Sequence, residues 1–153
     1  MLRAMNSIAS LILTGEQVQT AIKTLDGYHL PQRTLSLWAK QGVVTPTVRH
    51  DGIRGRFHPR IYNLSDLARC RLVVRMRRAG ISMSRTRVTL AMIDVDLRAA
   101  FHPATPASLI VDGLRCFVVA NGLPARELPS GQFRLQLDQC FVGTLAEARR
   151  LTA

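Results

Sequence analysis

The stretch from Leu30 to Leu67 limits what this chain can become more than any other. Pro31 stands where a helix start tolerates a missing N–H, and Gly42 supplies a left-handed residue that ends one. Between them, Leu35, Trp38 and Ala39 fall on one helical face. Arg33, Ser36, Leu37 and Lys40 recur at i, i+3, i+4, i+7 on the other. A loop from Thr47 to Arg60 follows, holding Gly52, Gly55, Pro59 and the arginines Arg49, Arg54, Arg56 and Arg60. Ile61-Tyr62 then returns to the body before a new helix, which Asn63 or Ser65 can cap and Asp66 favours in its first turn. A helix with one apolar and one cationic face, followed by a Gly-rich basic hairpin, has the order of a winged helix-turn-helix. The hairpin can straddle a phosphate backbone while the helix enters a groove.

The flanking sequence supplies the other parts. Thr14 and Gln17 have capping-box spacing. Val18, Ala21, Ile22 and Leu25 then line one face of a first helix that ends at Asp26-Gly27, against which Leu35, Trp38 and Ala39 should pack. A third helix spans about Ser65 to Ala79, with Arg71, Arg75 and Arg78 on one face and Leu67, Val73, Val74 and Met76 over much of the rest. Gly80 closes it, and Ser82 caps a fourth helix running to about Leu97. Residues 1–101 therefore read as four helices plus a β wing. His102-Pro103-Ala104-Thr105-Pro106 cannot continue a helix and reads as a linker.

Residues 107–153 carry strand signals. Ser108 to Val111, Asp112-Gly113 and Arg115 to Val119 form a hairpin pattern, with further turns at Asn121-Gly122 and Pro129-Ser130-Gly131. Phe133, Leu135 and Leu137 alternate with Arg134, Gln136 and Asp138. Thr144 and Glu147 repeat the capping-box spacing before Leu145, Ala148 and Leu151. The expected fold class is α+β: the winged helix-turn-helix, then a small four-stranded β-meander with a terminal helix. A piece of that size needs support from the first domain or from a twin in a dimer.

Charge divides the same way. Residues 1–106 hold 16 Lys/Arg against 6 Asp/Glu, whereas 107–153 hold 5 against 4. Residues 49–87 hold 11 Arg opposed only by Asp51 and Asp66. Such asymmetry points the first part at a polyanion. Arg in place of Lys favours two-pronged contacts to phosphate and guanine.

Other classes find little support. Cys70, Cys116 and Cys140 are odd in number, far apart and without a CxxC pair, as reduced buried cysteines would be. No apolar run approaches the roughly 20 residues of a spanning helix, and Met1 to Leu13 lacks a secretory pattern, so a cytoplasmic location is expected. His29, His50, His58 and His102 are scattered and imply no metal site. The chain shows no paired carboxylates, phosphate-cradling Gly loop or Cys-His pair, so neither enzyme nor cofactor is implied.

Residues 12–97 resemble the DNA-binding domain of the MerR family of bacterial transcription regulators. The likeness rests on Arg33-Thr34-Leu35, Trp38, Gly42-Val43-Val44-Thr45-Pro46, Arg60-Ile61-Tyr62 with Asp66-Leu67, and Gly80-Ile81-Ser82-Met83. It implies a second helix in the major groove, Arg33 and Thr34 on groove or backbone, and Arg60 and Tyr62 on phosphate beside the wing. It also implies a homodimer on an inverted repeat of double-stranded DNA. Ser36 replaces the Arg usual on that helix, the wing is longer, and the break at residues 102–106 replaces the long dimerising helix, so a dimer needs another surface.

The sequence thus points to a sequence-specific DNA-binding transcriptional regulator, repressor-like or autoregulatory. Specificity falls to Arg33, Ser36, Leu37 and Lys40, and affinity to the wing and third-helix arginines. Two alternatives share the fold. One is an antitoxin-like adaptor binding a partner protein through residues 107–153. The other is an excisionase-like protein that bends DNA.

Overall fold

The computed structural model describes residues 11–46, 60–100, 107–112, 115–120, 132–136 and 143–153, those from 92 to 136 as backbone alone. The element order is β1 (Ile12–Thr14), α1 (Gly15–Asp26), α2 (Gln32–Lys40), β2 (Ile61–Asn63), α3 (Leu64–Arg78), α4 (Met83–Ala100), β3 (Ala107–Asp112), β4 (Arg115–Ala120), β5 (Gln132–Gln136) and α5 (Thr144–Thr152). The chain forms two compact units, Met1–Arg71 with Gly143–Ala153, and Leu72–Val142, so the division falls within α3.

Local chemistry sets the helix ends. Thr14 Oγ1 accepts from the Gln17 backbone N–H at 3.2 Å, and the Thr14 N–H donates to Gln17 Oε1 at 2.8 Å, the expected capping box of α1. Asn63 and Asp66 do the same for α3, each backbone N–H donating to the other's side chain at 2.8 Å. This settles the cap between Asn63 and Ser65. Two helices end in the same motif. After α2 the Val43 N–H donates to the Trp38 carbonyl at 2.9 Å and Gly42 to Ala39 at 3.3 Å. After α3, Ile81 donates to Met76 and Gly80 to Arg77, both at 3.0 Å. Only a left-handed residue lets both bonds form, and Gly42 (φ 69°) and Gly80 (φ 78°) supply it.

The first unit packs around α1. Val18, Ala21 and Ile22 are buried on it, and Leu35, Trp38 and Ala39 are buried on α2. β1 and β2 pair antiparallel, placing Leu13 opposite Tyr62, and both side chains are buried. α3 is enclosed almost all round. Leu64, Leu67, Ala68, Cys70, Leu72, Val73, Val74 and Met76 are all buried. Burial round most of a helix places it in a core.

Arg71 sits inside this run at 2% exposure, which corrects the expected exposed arginine stripe of Arg71, Arg75 and Arg78. Its Nε donates to Asp26 Oδ2 at 2.8 Å, its Nη2 to Asp26 Oδ1 at 3.1 Å, and its Nη1 to Thr144 Oγ1 at 2.7 Å. Arg75 is half-buried and Arg78 exposed.

α5, expected to sit with the strands, instead lies along α1. The pairing runs antiparallel. Gly143 adjoins Leu25, Thr144 shares Arg71 with Asp26, and the Leu151 carbonyl accepts from Gln17 Nε2 at 2.7 Å. The second expected capping box does not form. Gly143, at φ 78°, is the N-cap without a side-chain bond, because the Thr144 hydroxyl serves Arg71 and the Glu147 carboxylate takes Arg150 at 2.6 and 2.9 Å.

In the second unit, α4 starts as expected, Ser82 Oγ accepting from the Arg85 N–H at 3.3 Å. β3 and β4 form the expected hairpin, with Asp112 opposite Arg115. β5 pairs with the other side of β3, Leu109 opposite Leu135, so the order is β4-β3-β5. Among the described residues there are three strands in this sheet, and the central one is the first in sequence. Leu137, the linker and the turns at Asn121-Gly122 and Pro129-Ser130-Gly131 lie outside the described residues.

Candidate nucleic-acid interface

α1, a short turn and α2 form the helix-turn-helix. Gly27, at φ 60°, ends α1, and its N–H donates to the Lys23 carbonyl at 3.1 Å. Gln19 Nε2 reaches over the turn to the Leu30 carbonyl at 2.7 Å, while the Leu30 side chain is buried. Pro31 precedes α2 as its N-cap, at φ −66° and ψ 144°, and the Leu35 N–H donates to its carbonyl at 3.1 Å. The turn is thus held at both ends, and α2 starts from a defined position with its inner face in the core.

Burial separates the faces of α2 as the spacing required. Arg33, Leu37 and Lys40 are exposed, and Thr34 and Ser36 are half-buried beside them. Leu37 keeps 49% of its surface in solvent. A large apolar side chain exposed between two cations is poorly used in water. It suits a major groove, where apolar contact with a thymine methyl accompanies Arg or Lys on guanine.

The wing arginines Arg49, Arg54 and Arg56 lie outside the described residues. Arg60 is described, half-buried just before β2. Tyr62 behaves otherwise than the resemblance implied. It is fully buried, and its hydroxyl has no hydrogen-bond partner among the described residues. Burial pushes its pKa up to about 12, the nearby Cys70 and Asp66 add to this, and Arg60 opposes it. Tyr62 is thus part of the core around β2, opposite Leu13 of β1.

Cys70 is a free, buried thiol whose pKa burial pushes well above the usual range, with Asp66 adding to the shift. A thiolate is the reactive form, so this position is chemically quiet. Among the described residues no group of three or more His, Cys, Asp or Glu is placed to hold a metal ion, and no helix is long and apolar enough to cross a membrane.

Sequence reasoning missed two polar assemblies of this unit, Asp26–Arg71–Thr144 and Gln17–Leu151. The one local clue to the first was Arg71 itself, set between Cys70 and the apolar run Leu72-Val73-Val74.

A helix-turn-helix with an exposed mixed face on its second helix, backed by a two-stranded antiparallel sheet at the base of a basic loop, defines a DNA-binding protein of the transcription-regulator class. The particular kind follows from comparison with protein families. Residues 27–92 match the model of the MerR HTH family regulatory proteins, and over this segment the chain is similar to that family. A search of curated proteins returned no match.

Proposed function

We propose that the protein is a sequence-specific regulator of repressor-like or autoregulatory type that lays α2 in the major groove. The observation that carries this is the face of α2, where Arg33, Leu37 and Lys40 are exposed over a buried Leu35, Trp38 and Ala39. Arg33 and Lys40 read purine edges, Leu37 meets a thymine methyl, and Thr34 and Ser36 supply short hydroxyl contacts. Arg60, with Arg49, Arg54 and Arg56 of the wing, neutralises phosphate and makes binding strongly salt-dependent. The protein acts as a homodimer on an inverted repeat. β3 to β5 are the surface for the twin or for another protein, since α5 is occupied by α1.

The test is selection of bound duplexes from a random pool at two salt concentrations. Recovery of an inverted repeat supports a dimeric regulator. Tandem direct repeats would favour a DNA-bending role instead. Arg33→Ala and Lys40→Ala should each relax preference at one position per half-site and weaken binding by about 1–3 kcal/mol. Unchanged preference in both would remove α2 as the reader.

A further inference from the structure

The terminal helix α5 ends beside the elements that lead into DNA. Gln17 does two jobs there. Its Oε1 closes the cap of α1, and its Nε2 donates to the Leu151 carbonyl at 2.7 Å, so the last turn of α5 is tied to the first turn of α1. That first turn abuts the start of α2. A Cβ built on Gly15 would stand 3.4 Å from Gln32 Oε1 and 3.7 Å from Leu35 Cδ2. Gln32 is the first residue of α2 and directly precedes Arg33. In helix-turn-helix proteins the second helix meets base edges with its N-terminal residues, and the first helix crosses the backbone close by. The last turn of α5 therefore belongs to the same end of the unit as the reading helix.

The charge on that turn is positive. Thr144 and Ala148 are fully buried and Glu147 is buried, whereas Arg149 and Arg150 are exposed. Arg150 is paired with Glu147 at 2.6 Å. Arg149 has no ion-pair partner among the described residues, and its helix is fixed at both ends, by Thr144 on Arg71 and by Leu151 on Gln17. A cation held on a docked helix loses less freedom on meeting a phosphate than one on a loose tail.

We infer that α5 is an extra DNA-backbone element, with Arg149 contacting a phosphate next to the site read by α2. This rests on the reading of α2 as the DNA reader and extends the footprint to residues far outside the 27–92 segment. The contact carries no sequence information, so it adds affinity uniformly.

The experiment measures dissociation constants of the full chain and its variants on one selected duplex across a salt series. Arg149→Gln should lower the magnitude of the log–log salt slope by about 0.9 and weaken binding several-fold without altering the selected motif. Arg149→Lys should keep the slope. Lys23→Gln removes the same charge from the last turn of α1, at the other end of that helix, and should leave the slope unchanged. An unchanged slope in Arg149→Gln, or an equal loss in Lys23→Gln, overturns the contact while leaving α2 as the reader. Failure of the parent chain to bind any duplex overturns both.

Discussion

Asp26→Ala would take the carboxylate away from the Arg71 guanidinium inside the first unit. The two side chains are 3% and 2% exposed and meet through two bonds, at 2.8 and 3.1 Å, so solvent cannot take over the lost charge. Breaking such a pair from one side typically costs about 3–5 kcal/mol, because one desolvated charge remains uncompensated. That is a large part of the roughly 5–15 kcal/mol by which small domains are stable. At about 4–8 °C per kcal/mol for a unit of this size, the midpoint should fall by more than about 10 °C. The assay is urea and thermal unfolding of the full chain followed by far-ultraviolet circular dichroism. The double variant Asp26→Leu/Arg71→Met removes both charges and should recover most of the loss, since an apolar replacement of a buried pair is often neutral or stabilising. A single variant within about 1 kcal/mol of the parent would refute the argument, as that is the range of a solvated surface pair.

Other outcomes follow from the same geometry. Tyr62→Phe should unfold within about 1 kcal/mol of the parent or above it, because it removes a buried hydroxyl without a described partner. It should also bind DNA as the parent does, and a large loss of affinity at unchanged stability would restore a direct phosphate contact. Cys70 should resist alkylation in the folded protein at neutral pH and react only on unfolding, as read by peptide mass spectrometry. Rapid native labelling would contradict its burial. The Arg150 hydrogen bond holds the Glu147 carboxyl below its ordinary 4.5. A depressed folded pKa contributes stability above the unfolded value, and that contribution is lost as pH falls through the lower folded value. Glu147→Gln should therefore flatten the acid side of the stability profile, and an unchanged profile would show that the pair is too solvated to matter.

Much of the fold was legible because its signals are local. The capping box at Thr14 and Gln17, the glycine ends at Gly42 and Gly80, and the alternation around Phe133 and Leu135 each involve residues a few positions apart. The two faces of α2 were legible for the same reason, and they make up the described part of the candidate site. What could not be read depends on distant partners. Asp26 and Arg71 are 45 residues apart, Arg71 and Thr144 are 73, and Gln17 and Leu151 are 134, so no window of sequence holds both members. Thr144 and Glu147 had the spacing of a cap, but Arg71 and Arg150 compete for the same oxygens and win. Tyr62 matched a motif whose tyrosine faces DNA, yet alternation along β2 from Ile61 to Asn63 turns it inward. The hairpin of β3 and β4 was local, and the return of β5 to the far side of β3 was not.

The position of α5 along α1 also has a consequence for synthesis on the ribosome. The unit that holds the helix-turn-helix is assembled from Met1–Arg71 and Gly143–Ala153, with Leu72–Val142 made in between. Its core therefore lacks Thr144 and Ala148, and Arg71 lacks one of its acceptors, until the segment 143–153 has been made. Domains usually mature from the amino terminus as they emerge. Here the unit that holds the helix-turn-helix is completed only after the intervening segment, so its full docking reports that the whole of Leu72–Val142 has been made.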